Sequence, residues 1–178
     1  MTTPTQHNGA QDFDFFIGQW RVAHRRLRQR LAGCTDWDEF VGTTSVRKVL
    51  GGQGNVDDNF LDLPGDPYHA VTLRTWDAAA QQWSIWWLDG RAPGGLDVPM
   101  RGRFEGGVGT FLAADLHAGQ PVTVRFLWTQ PAPDAPRWEQ AFSTDGGATW
   151  ETNWVMDFSR LAQGPGDQPG PVSTCRLP

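Results

Sequence analysis

The side chains best suited to chemistry form a small polar set scattered among tryptophans. Alternate residues of an extended strand share a face, so Trp20, Val22, His24 and Arg26 point the same way. By the same count Arg74 shares a face with Trp76, and Gln140 with Trp138. A filled apolar core has no use for such groups, and a buried charge needs a partner. If His24, Arg26, Arg74 and Gln140 converge on one interior, they suit a ligand with an anionic or carbonyl end and an apolar body. The same residues also fit an internal salt-bridge network, and a register slip of one residue would turn them to solvent.

Aromatic residues surround this set. Three of the ten tryptophans fall in Trp83-Ser84-Ile85-Trp86-Trp87, where alternation separates Trp83 and Trp87 from Trp86. Should Trp83 and Trp87 face inward with Trp128, Trp138 and Trp154, they either line a lumen that takes an apolar ligand or fill it by ring packing. Other chemistries find little support. His24, His69 and His117 are unclustered and no HExxH occurs, so no metal site is expected. No G-x-S-x-G marks a nucleophile, and glycine pairs such as Gly51-Gly52 precede no helix that would cradle a phosphate. No catalytic residue and no cofactor are assigned.

The elements that must position these residues are strands. Signals of strand type recur from Trp20 to Arg160, with Gly, Pro, Asn and Asp between them, and no stretch keeps a helical period for three turns. The expected strands run about 19–31, 39–50, 55–63, 68–76, 82–88, 100–105, 109–115, 122–129, 138–143 and 150–160. Short links favour an up-and-down meander, and closure removes two long edges. The expected fold is therefore all-β: a closed or nearly closed antiparallel barrel of about eight to ten strands. Phe13, Phe16 and Ile17 in the segment 10–17 suit one short helical turn capping its end.

Gly18-Gln19-Trp20, after an apolar turn and before a long strand, resembles the GxW motif that opens lipocalins and other calycins. The resemblance implies that Trp20 closes the barrel floor beneath a basic side chain from the end of the last strand, here Arg160. Gly18, Trp20 and Arg160 are then structural. FFIGQW near the start, VLGG after the second strand, TWDAAAQQW across a hairpin and the pattern from Ser143 to Arg160 also resemble a bacterial family of calycin-like barrels without an established reaction. That resemblance spans about Phe13 to Arg160 and implies the barrel alone. Calycin-like haem proteins resembling nitrobindin hold iron with a histidine near the barrel's end. No histidine follows His117 here, which leaves His24 as the alternative ligand.

Ser143-Thr144-Asp145-Gly146-Gly147-Ala148-Thr149-Trp150 matches the spacing of the Asp-box found in sialidase propellers. It occurs once, and Tyr68 is the only tyrosine, so Asp145 and Trp150 are read as hairpin stabilisers.

Composition bounds the rest. A net charge of −5 over 178 residues, with 15 basic and 20 acidic side chains, argues against a nucleic-acid surface. No apolar run approaches the length of a membrane helix and the start lacks a signal-peptide layout, so a cytoplasmic protein with reduced Cys34 and Cys175 is expected. The expected organisation is a flexible start over 1–10, a barrel over 11–160 and a Gly- and Pro-rich tail over 161–178. Three roles stay open: a barrel binding a small apolar or amphipathic ligand, a filled non-catalytic barrel that pairs two copies, and an enzyme using His24 beside a carboxylate in a wet cleft.

Overall fold

Alternating burial is carried through ten strands, and that alternation builds the lumen. The computed structural model describes residues 9–162. The expected tail, with Cys175, and residues 1–8 lie outside the described residues.

The strands are β1 (Gly18–Leu27), β2 (Trp37–Val49), β3 (Gly54–Leu61), β4 (Tyr68–Asp77), β5 (Gln82–Asp89), β6 (Met100–Glu105), β7 (Val108–His117), β8 (Gln120–Ala132), β9 (Ala135–Ser143) and β10 (Glu151–Arg160). Each pairs antiparallel with its sequence neighbours, and β1 pairs with β10 to close the barrel. Because closure leaves no free edge, the inward row of every strand faces one shared interior. The fold is a closed ten-stranded antiparallel barrel with a short N-terminal helical segment. That segment consists of two 3₁₀ turns, Gly9–Gln11 and Asp14–Phe16. Gly9 and Ala10 are buried, so packed structure begins inside the stretch expected to be flexible.

Two departures from regular pairing shape the site. β5 and β6 pair only from Trp83 to Ile85, after which the Asp97 N–H donates to the Trp87 carbonyl at 2.9 Å. The rim is therefore built there by the segment 90–99 and not by sheet. The second departure is a register shift in β10 between Thr152 and Trp154. Strict alternation would put neighbouring Asn153 and Trp154 on opposite faces, but the extra residue of a bulge turns both inward, and Asn153 is fully buried.

One end of the barrel is plugged. Phe13 and Phe16 enter from the 3₁₀ segment and are each 1% exposed. Phe13 meets Trp83 and Phe104 edge-on at 5.0 and 4.9 Å. Phe16 meets Trp128 and Phe158 edge-on at 4.7 and 4.9 Å. Such arrangements match the ring quadrupoles and add to the large apolar area buried. The Trp20 indole N–H donates to the Phe16 carbonyl at 2.8 Å. Arg160 covers Trp20 with its guanidinium carbon 4.0 Å from the ring centre, and donates to the Ile17 and Phe15 carbonyls at 3.0 and 3.1 Å. One guanidinium thus covers the floor tryptophan and ties down the plug.

The Asp-box hairpin lies outside this core. Asp145 accepts the Thr149 N–H and hydroxyl at 2.9 and 2.6 Å, and these bonds hold its carboxyl below the usual range. Gly146 and Gly147 take positive φ of 72° and 96° in the turn, while Arg125 lies 4.2 Å over the Trp150 ring.

Candidate functional site

Strand β4 runs from the open end at Tyr68 toward the floor at Arg74, so its inward row, Tyr68, Ala70, Thr72 and Arg74, samples the whole depth of the lumen. The plug fills the lower part of that depth. Above it lies a cavity of about 220 Å³, bordered from the plug by Phe16 and Phe158 and reaching the rim at Arg30, Tyr68 and Arg91.

His24, Arg26, Arg74, Trp87, Trp128, Trp138, Gln140 and Trp154 all border the cavity. Trp83, the other lumen candidate, faces inward but belongs to the floor. Its indole N–H donates to the Gly9 carbonyl at 3.0 Å and to Asp12 at 3.3 Å. The reason is depth: Trp83 and Trp87 share a face of β5 but stand two pleats apart, one in the plug and one in the cavity wall.

Two arginines without ion-pair partners among the described residues lie at the open end. Arg26 holds its guanidinium carbon 4.9 Å over the Trp154 ring. Arg30 lies past the end of β1, in a segment where the Leu31 N–H donates to Glu151 at 2.8 Å. Its guanidinium carbon sits 5.4 Å from the Phe142 ring centre. Burial and the neighbouring Arg26 charge lower its pKa to about 10, with Tyr68 and Glu151 opposing. Arg30 therefore stays cationic at neutral pH, and an added anion would relieve the crowding of like charges.

The remaining rim charges differ. Arg91 stacks on Tyr68 at 3.5 Å and is held by Asp66 and Asp89, each at 2.7 Å. Those bonds lower the Asp89 pKa and raise that of Arg91. Asp97 also borders the cavity, and burial, with Asp115 and Asp89 nearby, raises its pKa. The charge around the cavity is thereby negative on the Asp97 side and positive on the Arg26 and Arg30 side.

His24 does not sit in the wet, carboxylate-flanked cleft that acid–base work would require. It stacks on Phe40 at 4.5 Å and 5° and is 4% exposed. Its Nδ1 accepts the Trp154 indole N–H at 3.3 Å. Since indole nitrogen only donates, the ring proton resides on Nε2. Gly42 makes room for that edge: a Cβ there would lie 2.8 Å from Nε2. Burial first, then the Arg26 charge, lowers the pKa to about 3. At neutral pH His24 is an uncharged wall residue, too weak a base to suit proton transfer near pH 7.

Of the two roles open to Arg74, ligand anchor or member of an internal salt bridge, the structure shows the salt bridge. Its Nη1 donates to Asp57 at 2.6 Å and to Asn55 at 3.0 Å. Asp57, 2% exposed, also accepts from the Thr72 N–H at 2.9 Å and from Asn59 at 2.6 Å. The charge of Arg74 is thus matched, while Phe13, Phe16 and Trp128 lie 5.2–5.5 Å from its guanidinium carbon. Gln140 donates to Asn153 at 2.8 Å across the bulge.

Arg30 and Asp57 were missed in the sequence. Even-numbered alternation carried beyond Arg26 reaches Arg28 and Arg30, but the strand ends at Leu27. There Arg28 leaves toward Asp38 at 2.8 Å, and only Arg30 turns in. Asp57 gave one signal, an acid at an inward parity with Asn55 and Asn59. Among the described residues no group of three His, Cys, Asp or Glu is gathered as a metal site, and no helix is long and apolar enough to cross a membrane.

By sequence the chain matches no protein-family model and no curated protein. Its fold is similar to a solved structure, that of an S-type phycobiliprotein lyase from Guillardia theta, with a TM-score of 0.57 at 10% identity. The match covers 89% of this chain and 96% of that one. The shared architecture is the lipocalin-like barrel.

Proposed function

We propose that the protein binds a small, largely apolar organic anion, its body between the cavity's tryptophans and its negative end held by Arg26 and Arg30. The observation that carries this reading is the pair of arginines at the open end of a largely aromatic cavity, neither with an ion-pair partner among the described residues. Burying like charges together is unfavourable for the free protein, and a carboxylate between them reverses the sign of that interaction. The cavity volume of about 220 Å³ fixes the scale. An apolar cavity of about 150 Å³ takes benzene, so one substituted ring with a carboxylate is the matching size. Trp87, Trp138 and Trp154 supply flat apolar walls, Trp154 standing edge-on to the other two at 6.2 and 5.6 Å. The barrel shared with a phycobiliprotein lyase is in keeping with a lumen that holds a small molecule.

Titration of intrinsic tryptophan fluorescence with 4-methylbenzoate and with the uncharged 4-methylbenzyl alcohol tests the reading. The acid is expected to bind more tightly. In the Arg26→Gln/Arg30→Gln variant its affinity should fall about 10- to 100-fold, the range for losing a charge-assisted hydrogen bond. The alcohol should be nearly unaffected. Equal affinity of wild type for acid and alcohol would remove the role assigned to the arginines.

A further inference from the structure

The deep wall of the cavity carries a donor that the protein leaves unused. Arg74 is 4% exposed and borders the cavity. Its Nη1 is taken by Asp57 and Asn55, and its Nε is sealed without a hydrogen-bond partner, as is Nε1 of the adjacent Trp128. The Nη2 amino group has no acceptor among the described residues, yet it is not among the sealed atoms. It is therefore the part of the guanidinium offered to the cavity. A buried donor left without an acceptor is costly, and a matching acceptor removes the cost.

Charge decides which acceptor fits. Asp57 already neutralises Arg74 at 2.6 Å, so a second carboxylate there would face an existing one. An uncharged oxygen accepts from Nη2 without that repulsion. The two ends of the lumen then ask for different groups: an anion at the mouth and a neutral oxygen at depth.

Resting on the anion-binding reading above, we propose that the preferred ligands are small aromatic acids bearing a hydroxyl or carbonyl oxygen at the end remote from the carboxylate, recognised by Nη2 of Arg74. Phe16 and Trp128 flank this position, so recognition there is by one hydrogen bond inside an aromatic surround. A site built to hydrogen-bond an oxygen rejects the analogue lacking it, because the protein donor is then left unpaired.

Isothermal titration calorimetry with 4-hydroxybenzoate and its near-isostere 4-methylbenzoate tests the proposal on the intact protein. Wild type is expected to bind the hydroxy acid at least about tenfold more tightly. Arg74→Lys keeps a cation beside Asp57 but removes the fork, and should bring the two acids within about twofold. If that variant fails to fold, Arg74→Gln/Asp57→Asn removes both charges together and should do the same. Equal affinities in wild type, or tighter binding of the methyl acid, overturn this inference and leave the anion reading standing. Preference for the hydroxy acid that persists in the folded variants overturns the assignment to Arg74. Binding of neither acid by wild type overturns both readings.

Discussion

The two halves of the lumen are made from the same residue types and differ in what those residues are tied to. At the floor, Trp20 donates to a plug carbonyl and lies under Arg160, and Trp83 donates to Gly9 and Asp12. Toward the mouth, Arg26 and Arg30 face rings and each other, and Trp87 and Trp138 border open space. The chain from Gly9 to Ile17 accounts for the contrast. It carries Phe13 and Phe16 into one end of the barrel, and no comparable segment among the described residues enters the other. A tryptophan-rich barrel therefore need not be wholly filled or wholly hollow.

The largest expected effect breaks the floor. Phe13→Ala removes a ring packed against Trp83, Phe104 and Trp128, and should cost about 3–5 kcal/mol in urea unfolding. A loss below about 1 kcal/mol would mean that the plug is not part of the core.

The next effect belongs to the cavity wall and depends on pH. His24 has a folded pKa of about 3 against an ordinary value of 6.5. As pH falls below about 6.5 the unfolded chain takes up the proton and the folded chain does not, so stability is complete above that pH and is lost as pH drops toward 3. The expected slope is on the order of 1 kcal/mol per pH unit across that window. In His24→Gln the part of the slope due to this group should vanish, as followed by thermal unfolding from pH 7 to pH 4. An unchanged slope would show that His24 is not held neutral.

Smaller effects separate the arginines of the two ends. Arg160→Ala should lower stability by about 1–2 kcal/mol through loss of the contact with Trp20 and of the bonds to the plug carbonyls. Its affinity for 4-methylbenzoate should stay within about twofold of wild type. Arg30→Gln should do the reverse, raising stability by up to about 1 kcal/mol as the strain with Arg26 is relieved, while weakening the acid's binding. If both variants change the same property, the division into floor and mouth fails.

Most of the barrel was legible because a closed sheet imposes a period of two on every strand, and the expected strand limits fall within a few residues of those seen. Trp20 and Arg160 could be named together through the resemblance to calycins, and the pairing of the first strand with the last sets them opposite each other. What was not legible depends on register or on breaks in the period. The salt-bridge partner of Arg74 could not be named because Asp57 lies diagonally across the β3–β4 pairing, which alternation alone does not reveal. That Asn153 and Trp154 both face inward was not legible because a bulge leaves no mark in composition. Arg30 lies past the end of β1, where a bond from the Leu31 N–H to Glu151, 120 residues on in sequence, holds the chain.

The indole N–H resonances of the ten tryptophans report on both halves at once. Addition of saturating 4-methylbenzoate to ¹⁵N-labelled protein should shift the signals of Trp87, Trp138 and Trp154 and leave those of Trp20 and Trp83 in place. Largest shifts at Trp20 or Trp83, or at Trp37 and Trp86 on the outer faces of their strands, would contradict a ligand cavity confined to the mouth half of the barrel.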